Sequence, residues 1–154
     1  MTSLCCDVLK ALEGKSLVTA ESCTGGGIGA ALTAIAGSSS VYKGGIVSYT
    51  NWVKHELLAV PQAYLDQFGA VSAPVAEAMA MGARQTLMAD VAVSVTGLAG
   101  PGGDEFGNPV GTVFIGYSDE RITMSEAYLF TGDRDSVRRQ AVEAALRLIL
   151  KFHS

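Results

Sequence analysis

Apolar and polar positions along the chain follow helical and strand periods in turn. Leu4, Val8 and Leu12 share one face of a helix over 2–13, and Gly14 is placed to end it. Leu17 to Ala20 forms a short apolar strand. The run 91–95 is apolar without strict alternation, which indicates a strand covered on both faces.

Turn and capping residues between the apolar stretches predict the other elements. Pro74 suits the first turn of a long helix, with Ser72 near its N-cap. The predicted helices span 26–36, 52–59, 61–68, 74–88 and 134–152, and the further strands span 46–49, 110–117 and 122–130. The last two strands form a hairpin that turns near Asp119 and Glu120. This order predicts an α/β fold, a single three-layer α/β/α domain over 1–154 with a mixed β-sheet.

Composition narrows the class of protein. The chain is 49% hydrophobic and 17% charged, as expected of a globular domain that buries its own core. Its net charge is −4 and it has no Lys/Arg cluster, so we expect no nucleic-acid partner. No apolar run approaches the roughly 18 residues of a membrane span. The N-terminus lacks the pattern of a signal peptide. We therefore expect a cytoplasmic protein with no membrane partner.

The cysteines and histidines do not suggest a metal centre. Cys5 and Cys6 are adjacent, which favours reduced packing residues on a helix over a disulfide. The only histidines are His55 and His153, and no Cys/His pair has the spacing of metal ligands. We expect neither a metal nor a cofactor.

The segment 16–37 passes from a strand into a helix through a glycine-rich junction. Ser22, Cys23 and Thr24 stand at the turn, before the run of glycines at 25–27. Such a junction directs backbone N–H groups at one spot, which suits an anion or a developing oxyanion. Residues 25–30 also fit G-x-G-x-x-A, but the next strand lacks the acidic residue of a dinucleotide site. The alternative is purely structural, because glycines allow close helix–sheet contact.

Ser22 is a candidate nucleophile, although a serine here can simply cap the helix. Neither histidine is a convincing base, because His55 is expected on an exposed helix face and His153 at a frayed chain end. The remaining candidate for the base is a lysine. Lys54, just past the second strand, is best placed. It would need a pKa lowered by burial or by a nearby positive charge, and from sequence alone an ordinary surface lysine is favoured.

Two neighbours of Ser22 leave alternatives open. Cys23 is either a rival nucleophile, activated as a thiolate at a helix N-terminus, or a buried packing residue. Glu21 either orients a base or a substrate hydroxyl, or only favours the helix N-terminus.

Six sequence blocks, in order, resemble a known family. They are 19–26, 44–51 with Lys54, 69–72, 96–103, 109–113 and 132–134. Together they resemble the C-terminal domain of the CinA competence/damage-inducible proteins, which also occurs alone as nicotinamide-nucleotide amidohydrolase. The resemblance covers nearly the whole chain. It implies an α/β/α fold, the stand-alone form and a homo-oligomer.

The resemblance also implies a reaction. The carboxamide of nicotinamide mononucleotide would be hydrolysed to nicotinate mononucleotide and ammonia, with Ser22 as nucleophile, Lys54 as base and the Tyr49 hydroxyl assisting proton transfer. Backbone N–H groups of Thr24, Gly25 and Gly26 would hold the oxyanion or the phosphate. The alternatives are a nucleotide-binding module without catalysis and a dinucleotide-dependent oxidoreductase.

Later loops supply further candidate ligands. Thr96, Gly97 and Gly100 follow a buried strand and are predicted to form the second wall of a substrate pocket, with 104–108 as a flexible connection. Arg134 is the candidate for the phosphate, because a guanidinium makes bidentate contacts with it. Arg138 and Arg139 are predicted to be solvated or at a subunit interface.

Overall fold

A computed structural model of the chain describes residues 1–153. These residues contain six α-helices, five β-strands and one short 3-10 turn at Ser38–Ser40. In chain order the elements are α1 (Thr2–Ala11), β1 (Leu17–Glu21), α2 (Gly27–Thr33), β2 (Tyr42–Val47), α3 (Asn51–Leu58), α4 (Gln62–Phe68), α5 (Ala73–Thr86), β3 (Val91–Gly97), β4 (Thr112–Ser118), β5 (Thr123–Leu129) and α6 (Arg134–His153).

The strands form one mixed sheet in the order β2-β1-β3-β4-β5. Strand β1 pairs in parallel with both β2 and β3, so that Glu21 lies opposite Val47 on one side and Val95 on the other. Strands β4 and β5 continue the sheet as an antiparallel hairpin. The prediction of an α/β/α fold with a mixed sheet is confirmed.

Helices cover both faces of the sheet. Val91, Val93 and Val95 of β3 point to the face covered by α1, α2 and α6, whereas Ala92 points to the face covered by α3, α4 and α5. This arrangement explains the apolar run at 91–95, because both of its faces are buried.

Small residues bring α5 very close to the sheet. A Cβ added to Gly116 in β4 would stand 2.3 Å from the carbonyl oxygen of Ala76, and the Ser94 hydroxyl donates to that same oxygen at 2.6 Å. The glycines of α2 leave room for side chains: Gly29 lies against the Tyr42 hydroxyl and Gly27 against Val142.

Several element boundaries differ from the sequence predictions. Strand β2 begins at Tyr42 rather than at Ile46, because backbone pairing with β1 continues through Gly44 and Gly45, where side-chain pattern carries no strand signal. The C-terminal end of α6 is packed rather than frayed, since His153 Nε2 lies 2.6 Å from the Tyr117 hydroxyl. Among the described residues, no helix combines the length and the apolar character needed to cross a membrane.

Candidate active site

The candidate site lies where the three parallel strands end. The chain leaves β1 toward β2 on one side while β3 lies on the other, and ligands of open α/β sheets bind at such a switch point. A cavity of about 410 Å³ opens there. Its walls come from the ends of β1 and β3, the loop before α3, the loop before α5 and the start of α6: Ser22, Cys23, Tyr49, Asn51, Lys54, Ala70, Val71, Thr96, Gly97, Leu98, Ala99, Gly100, Gly102 and Arg134.

The structure brings Ser22 and Lys54 together. Ser22 directly follows β1, and its N–H extends the strand pairing by donating to the Val95 carbonyl at 2.9 Å. Lys54 is on α3, whose first turn is capped by the Thr50 hydroxyl accepting from the N–H of Val53. Lys54 Nζ lies 3.0 Å from Ser22 Oγ, the distance that proton transfer between a nucleophile and a base requires.

Lys54 is a buried residue, not the surface lysine that the sequence favours. Only 1% of it is exposed, and burial lowers the pKa of its amine from 10.5 to about 8. The carbonyls of Ser48 and Tyr49 accept from Nζ at 2.8 and 3.3 Å. A neutral amine has two N–H groups and one lone pair, so these carbonyls take both N–H groups and leave the lone pair for Ser22.

Cys23 does not have the properties of an activated thiol. It is 6% exposed, and burial raises the pKa of its thiol to about 11. Nucleophilic attack by cysteine requires the thiolate, which is scarce at neutral pH when the pKa is this high. The structure therefore favours the packing role of Cys23 over the thiolate alternative.

Glu21 binds the N-terminus of α2. Its carboxylate, in a residue only 2% exposed, accepts from the Thr24 hydroxyl at 2.7 Å and from the N–H groups of Ile28 and Gly29 at 2.8 and 3.1 Å. Glu21 is absent from the cavity wall. These contacts favour the helix-stabilising alternative and occupy the positive end of α2 with an internal carboxylate.

The glycine turn offers fewer free donors than its sequence suggests. Gly25 N–H donates to the Ser22 carbonyl at 3.1 Å, and Thr24, Gly25 and Gly26 lie outside the cavity wall. Within residues 1–153, the N–H groups of Cys23, Thr24 and Gly26 have no acceptor, and of these residues Cys23 lines the cavity. Cys23 and Thr24 directly follow Ser22 in the chain, so their N–H groups are the candidate donors for an oxyanion.

The second wall contains the other predicted ligands. Thr96 and Gly97 end β3, and the Thr96 hydroxyl donates to the Ala70 carbonyl at 2.8 Å, which ties β3 to the loop before α5. Arg134 donates through Nη1 to the carbonyl of Gly100 at 2.7 Å. Its Nη2 lies 3.5 Å from the hydroxyl of Tyr49, a residue that is 61% exposed.

The structure gives the surroundings of two sets of flanking residues. Arg138 is not a solvated side chain: its guanidinium donates to the carbonyls of Cys23 and Thr24. Residues 104–108 form a turn in which Asp104 accepts from the N–H groups of Phe106 and Asn108, and the predicted flexibility of this connection stays a prediction. The spacing of Arg138, four residues after Arg134 on one helix, was the available signal that both arginines face the same side.

A hollow of about 450 Å³ opens at the opposite end of the sheet, beside the start of β3. It is slightly larger than the cavity at Ser22, but it contains none of the predicted site residues; its walls include Lys15, Arg84, Asp119, Arg121 and Phe152. Chemistry rather than size therefore identifies the candidate site.

The chain is similar to proteins of one family. The family described as CinA C-terminal domain matches residues 2–153. A nicotinamide-nucleotide amidohydrolase PncC of Pseudomonas putida is 47% identical over 136 residues, which cover 88% of this chain and 85% of that protein. A CinA-like protein of Synechococcus sp. (strain CC9311) is 57% identical over 115 residues, which cover 73% of this chain. The chain matches only 27% of the length of that CinA-like protein.

Solved structures have the same fold. A competence-damaged protein (CinA) superfamily protein from Enterobacter cloacae superimposes with a TM-score of 0.96 at 34% identity, covering 99% of this chain and 92% of that one. The competence/damage inducible protein CihA from Agrobacterium tumefaciens gives a TM-score of 0.95 at 38% identity, covering 99% and 95% of the two chains.

Proposed function

The chain belongs to the CinA C-terminal domain family, and from that premise we propose that it is an amidohydrolase with a serine nucleophile and a lysine base. The observation that carries the proposal is the distance of 3.0 Å between Lys54 Nζ and Ser22 Oγ at the wall of an open cavity. The relatives named nicotinamide-nucleotide amidohydrolase support nicotinamide mononucleotide as the substrate.

In the first half of the reaction, neutral Lys54 takes the proton of the Ser22 hydroxyl while Oγ bonds to the carboxamide carbon. The tetrahedral intermediate then collapses. The C–N bond breaks, the amide nitrogen takes the proton from the Lys54 ammonium, and ammonia leaves. An ester between Ser22 and the nicotinoyl group remains.

In the second half, Lys54 accepts a proton from water as the water oxygen attacks the ester carbon. The bond to Ser22 Oγ breaks and Oγ regains a proton from Lys54. The sum is amide plus water to carboxylic acid plus ammonia. Because every proton passes through Nζ, its lone pair must face Ser22, and the carbonyls of Ser48 and Tyr49 support that orientation.

The carboxamide and the phosphate of the substrate need different binding groups. The oxyanion that forms at the carboxamide would accept from the N–H groups after Ser22, since the N–H after a nucleophile commonly forms part of an oxyanion hole. The phosphate would lie at the cavity mouth, where Arg134 supplies an exposed guanidinium. Tyr49 lies beside Arg134, and a role of its hydroxyl in proton transfer stays a prediction.

Ammonia release with nicotinamide mononucleotide tests this function directly. The wild-type chain should release ammonia and form nicotinate mononucleotide, and Ser22→Ala should reduce release to background while the melting temperature stays close to wild type. Cys23→Ala is the matched control and should retain activity. Ligand-induced stabilisation without ammonia release would instead favour a non-catalytic nucleotide-binding module.

A further inference from the structure

Three consecutive peptide groups follow Ser22, and their carbonyl oxygens are held in different ways. The Ser22 carbonyl accepts from the N–H of Gly25 at 3.1 Å. The Thr24 carbonyl accepts from the N–H of Gly27 at 3.0 Å and from Arg138 Nη2 at 3.3 Å. Within residues 1–153, the Cys23 carbonyl has a single donor, Arg138 Nε at 3.0 Å. The orientation of the peptide between Cys23 and Thr24 therefore depends on one side chain.

That peptide carries the N–H of Thr24. The peptide bond is planar and trans, so its C=O and N–H point in opposite directions. By holding the Cys23 carbonyl, Arg138 turns the Thr24 N–H to the other side, where no described residue accepts from it. An N–H without an internal acceptor, two residues after a nucleophile, is available to a developing negative oxygen.

Arg138 is itself well supported for this task. It is half-buried on α6, next to Val137 and one turn before Val142, both of which are buried. Gly25 has no side chain, and a Cβ there would lie 3.6 Å from Arg138 Nη2, so the guanidinium lies directly on the turn. The planar fork of arginine spans two neighbouring carbonyls, which the single ammonium of lysine cannot do as rigidly.

We propose that Arg138 is a positioning residue, which holds the Cys23–Thr24 peptide so that the Thr24 N–H serves the oxyanion formed when Ser22 attacks. The proposal rests on the proposed serine mechanism. It adds a residue that does not line the cavity at Ser22 and that acts on the reaction only through the backbone.

The first test measures the reactivity of Ser22 without the natural substrate. An alkyl fluorophosphonate labels an activated serine and places negative charge on its phosphonyl oxygen during attack. Misplacing a catalytic group by about 1 Å can cost about 100-fold in rate, so Arg138→Ala should label about 10- to 100-fold more slowly than wild type. Arg139→Ala is the matched control on the same helix and should label at the wild-type rate, because Arg139 is exposed and, within residues 1–153, pairs only with Asp135.

Further variants keep the test decisive. Arg138→Lys retains one donor, so its labelling rate should lie between those of wild type and Arg138→Ala. If Arg138→Ala does not fold, the labelling rate of Arg138→Lys tests the proposal. Added methylguanidine should speed labelling of Arg138→Ala but not of Arg139→Ala, a rescue that a merely structural role would not produce. In ammonia release, kcat should fall with KM nearly unchanged. Wild-type labelling rates in both Arg138 variants would overturn the proposal.

The two proposals fail in different ways. In one outcome, Ser22 of the wild-type chain is labelled and Arg138→Ala labels more slowly, but no ammonia is released from nicotinamide mononucleotide. This outcome would overturn the proposed substrate and retain the role of Arg138. A wild-type chain that neither labels nor releases ammonia would overturn both.

Discussion

At the scale of single residues, the proposed chemistry depends on one lysine whose environment changes its pKa. Lys54 is buried beside two carbonyls, which by themselves favour the charged form, yet desolvation is stronger and lowers the pKa to about 8. A base of this pKa is available at physiological pH, whereas a lysine at its ordinary pKa would be almost fully protonated.

The pKa of Lys54 predicts the pH profile. In the proposed mechanism the neutral amine is the active form, so kcat/KM should rise with pH through a midpoint near 8, and about one-tenth of the enzyme should be active at pH 7. Lys54→Arg should show almost no activity at any of these pH values, because a guanidinium stays protonated. Initial rates of ammonia release between pH 6 and 10 check this. A flat profile would contradict Lys54 as the base.

Arg134 is predicted to recognise the phosphate. Hydrogen bonds to charged groups contribute about 1.5–3 kcal/mol, so Arg134→Ala should raise the KM for nicotinamide mononucleotide by about 10- to 100-fold. The KM for nicotinamide riboside, which lacks the phosphate, should change little. Arg139→Ala, an exposed arginine on the same helix, is the control. Equal effects on both substrates would show that Arg134 acts by supporting the Gly100 loop instead.

At the scale of elements, the junction from β1 to α2 is held by its own residues. The strand ends on Glu21, whose carboxylate accepts from two N–H groups of α2 and from the Thr24 hydroxyl. The helix has no side-chain cap at Gly26, so Glu21 performs that task from the strand. Ser22, the proposed nucleophile, is thus fixed between a sheet residue and the helix that this residue stabilises.

Replacing this carboxylate is expected to weaken the junction. In Glu21→Gln, one oxygen is exchanged for a buried amide that cannot accept, and leaving buried donors unsatisfied costs about 1–3 kcal/mol of the free energy of unfolding. Urea denaturation measures that loss. Glu13→Gln, at an exposed position, is the control and should leave the free energy of unfolding unchanged. Equal stability of both variants would contradict the capping role.

At the scale of the whole molecule, the two helical layers differ in how they meet the sheet. The face toward α6 is lined by Val, Ile and Leu side chains, whereas the face toward α5 contains Ala20, Ala92, Ser94 and Gly116. The small side chains let α5 pack almost backbone to backbone on the sheet. This close packing positions the loop before α5, which forms part of the cavity wall.

Gly116→Ala tests this layer contact. The added methyl group would meet the Ala76 carbonyl at 2.3 Å and Ser94 Oγ at 2.4 Å, so α5 must shift or the bond between them must break. We expect the free energy of unfolding to fall by about 3 kcal/mol, at the upper end for overpacked sites. In the control Gly102→Ala, nothing lies within 4 Å of the new methyl group. Thermal unfolding of both variants decides the question.

Local pattern determined most of the architecture of this chain. Capping residues, proline positions and apolar runs placed every helix and strand, and the larger errors arose where glycines carry no side-chain pattern, as at Gly44 and Gly45 of β2. The sequence also predicted the strand–turn–helix at Ser22 and the position of Lys54 just after β2, since both depend on neighbours in the chain.

Only the tertiary structure decided how the site works. Lys54 and Ser22 are 32 positions apart, and Arg138 and Cys23 are 115 apart, so no local pattern links either pair. The burial that lowers the pKa of Lys54 and raises that of Cys23 comes from packing of distant segments. The same is true of Arg138, which appears in the sequence as one surface arginine beside another. Ionisation and hydrogen bonding depend on surroundings that exist only once the layers have assembled.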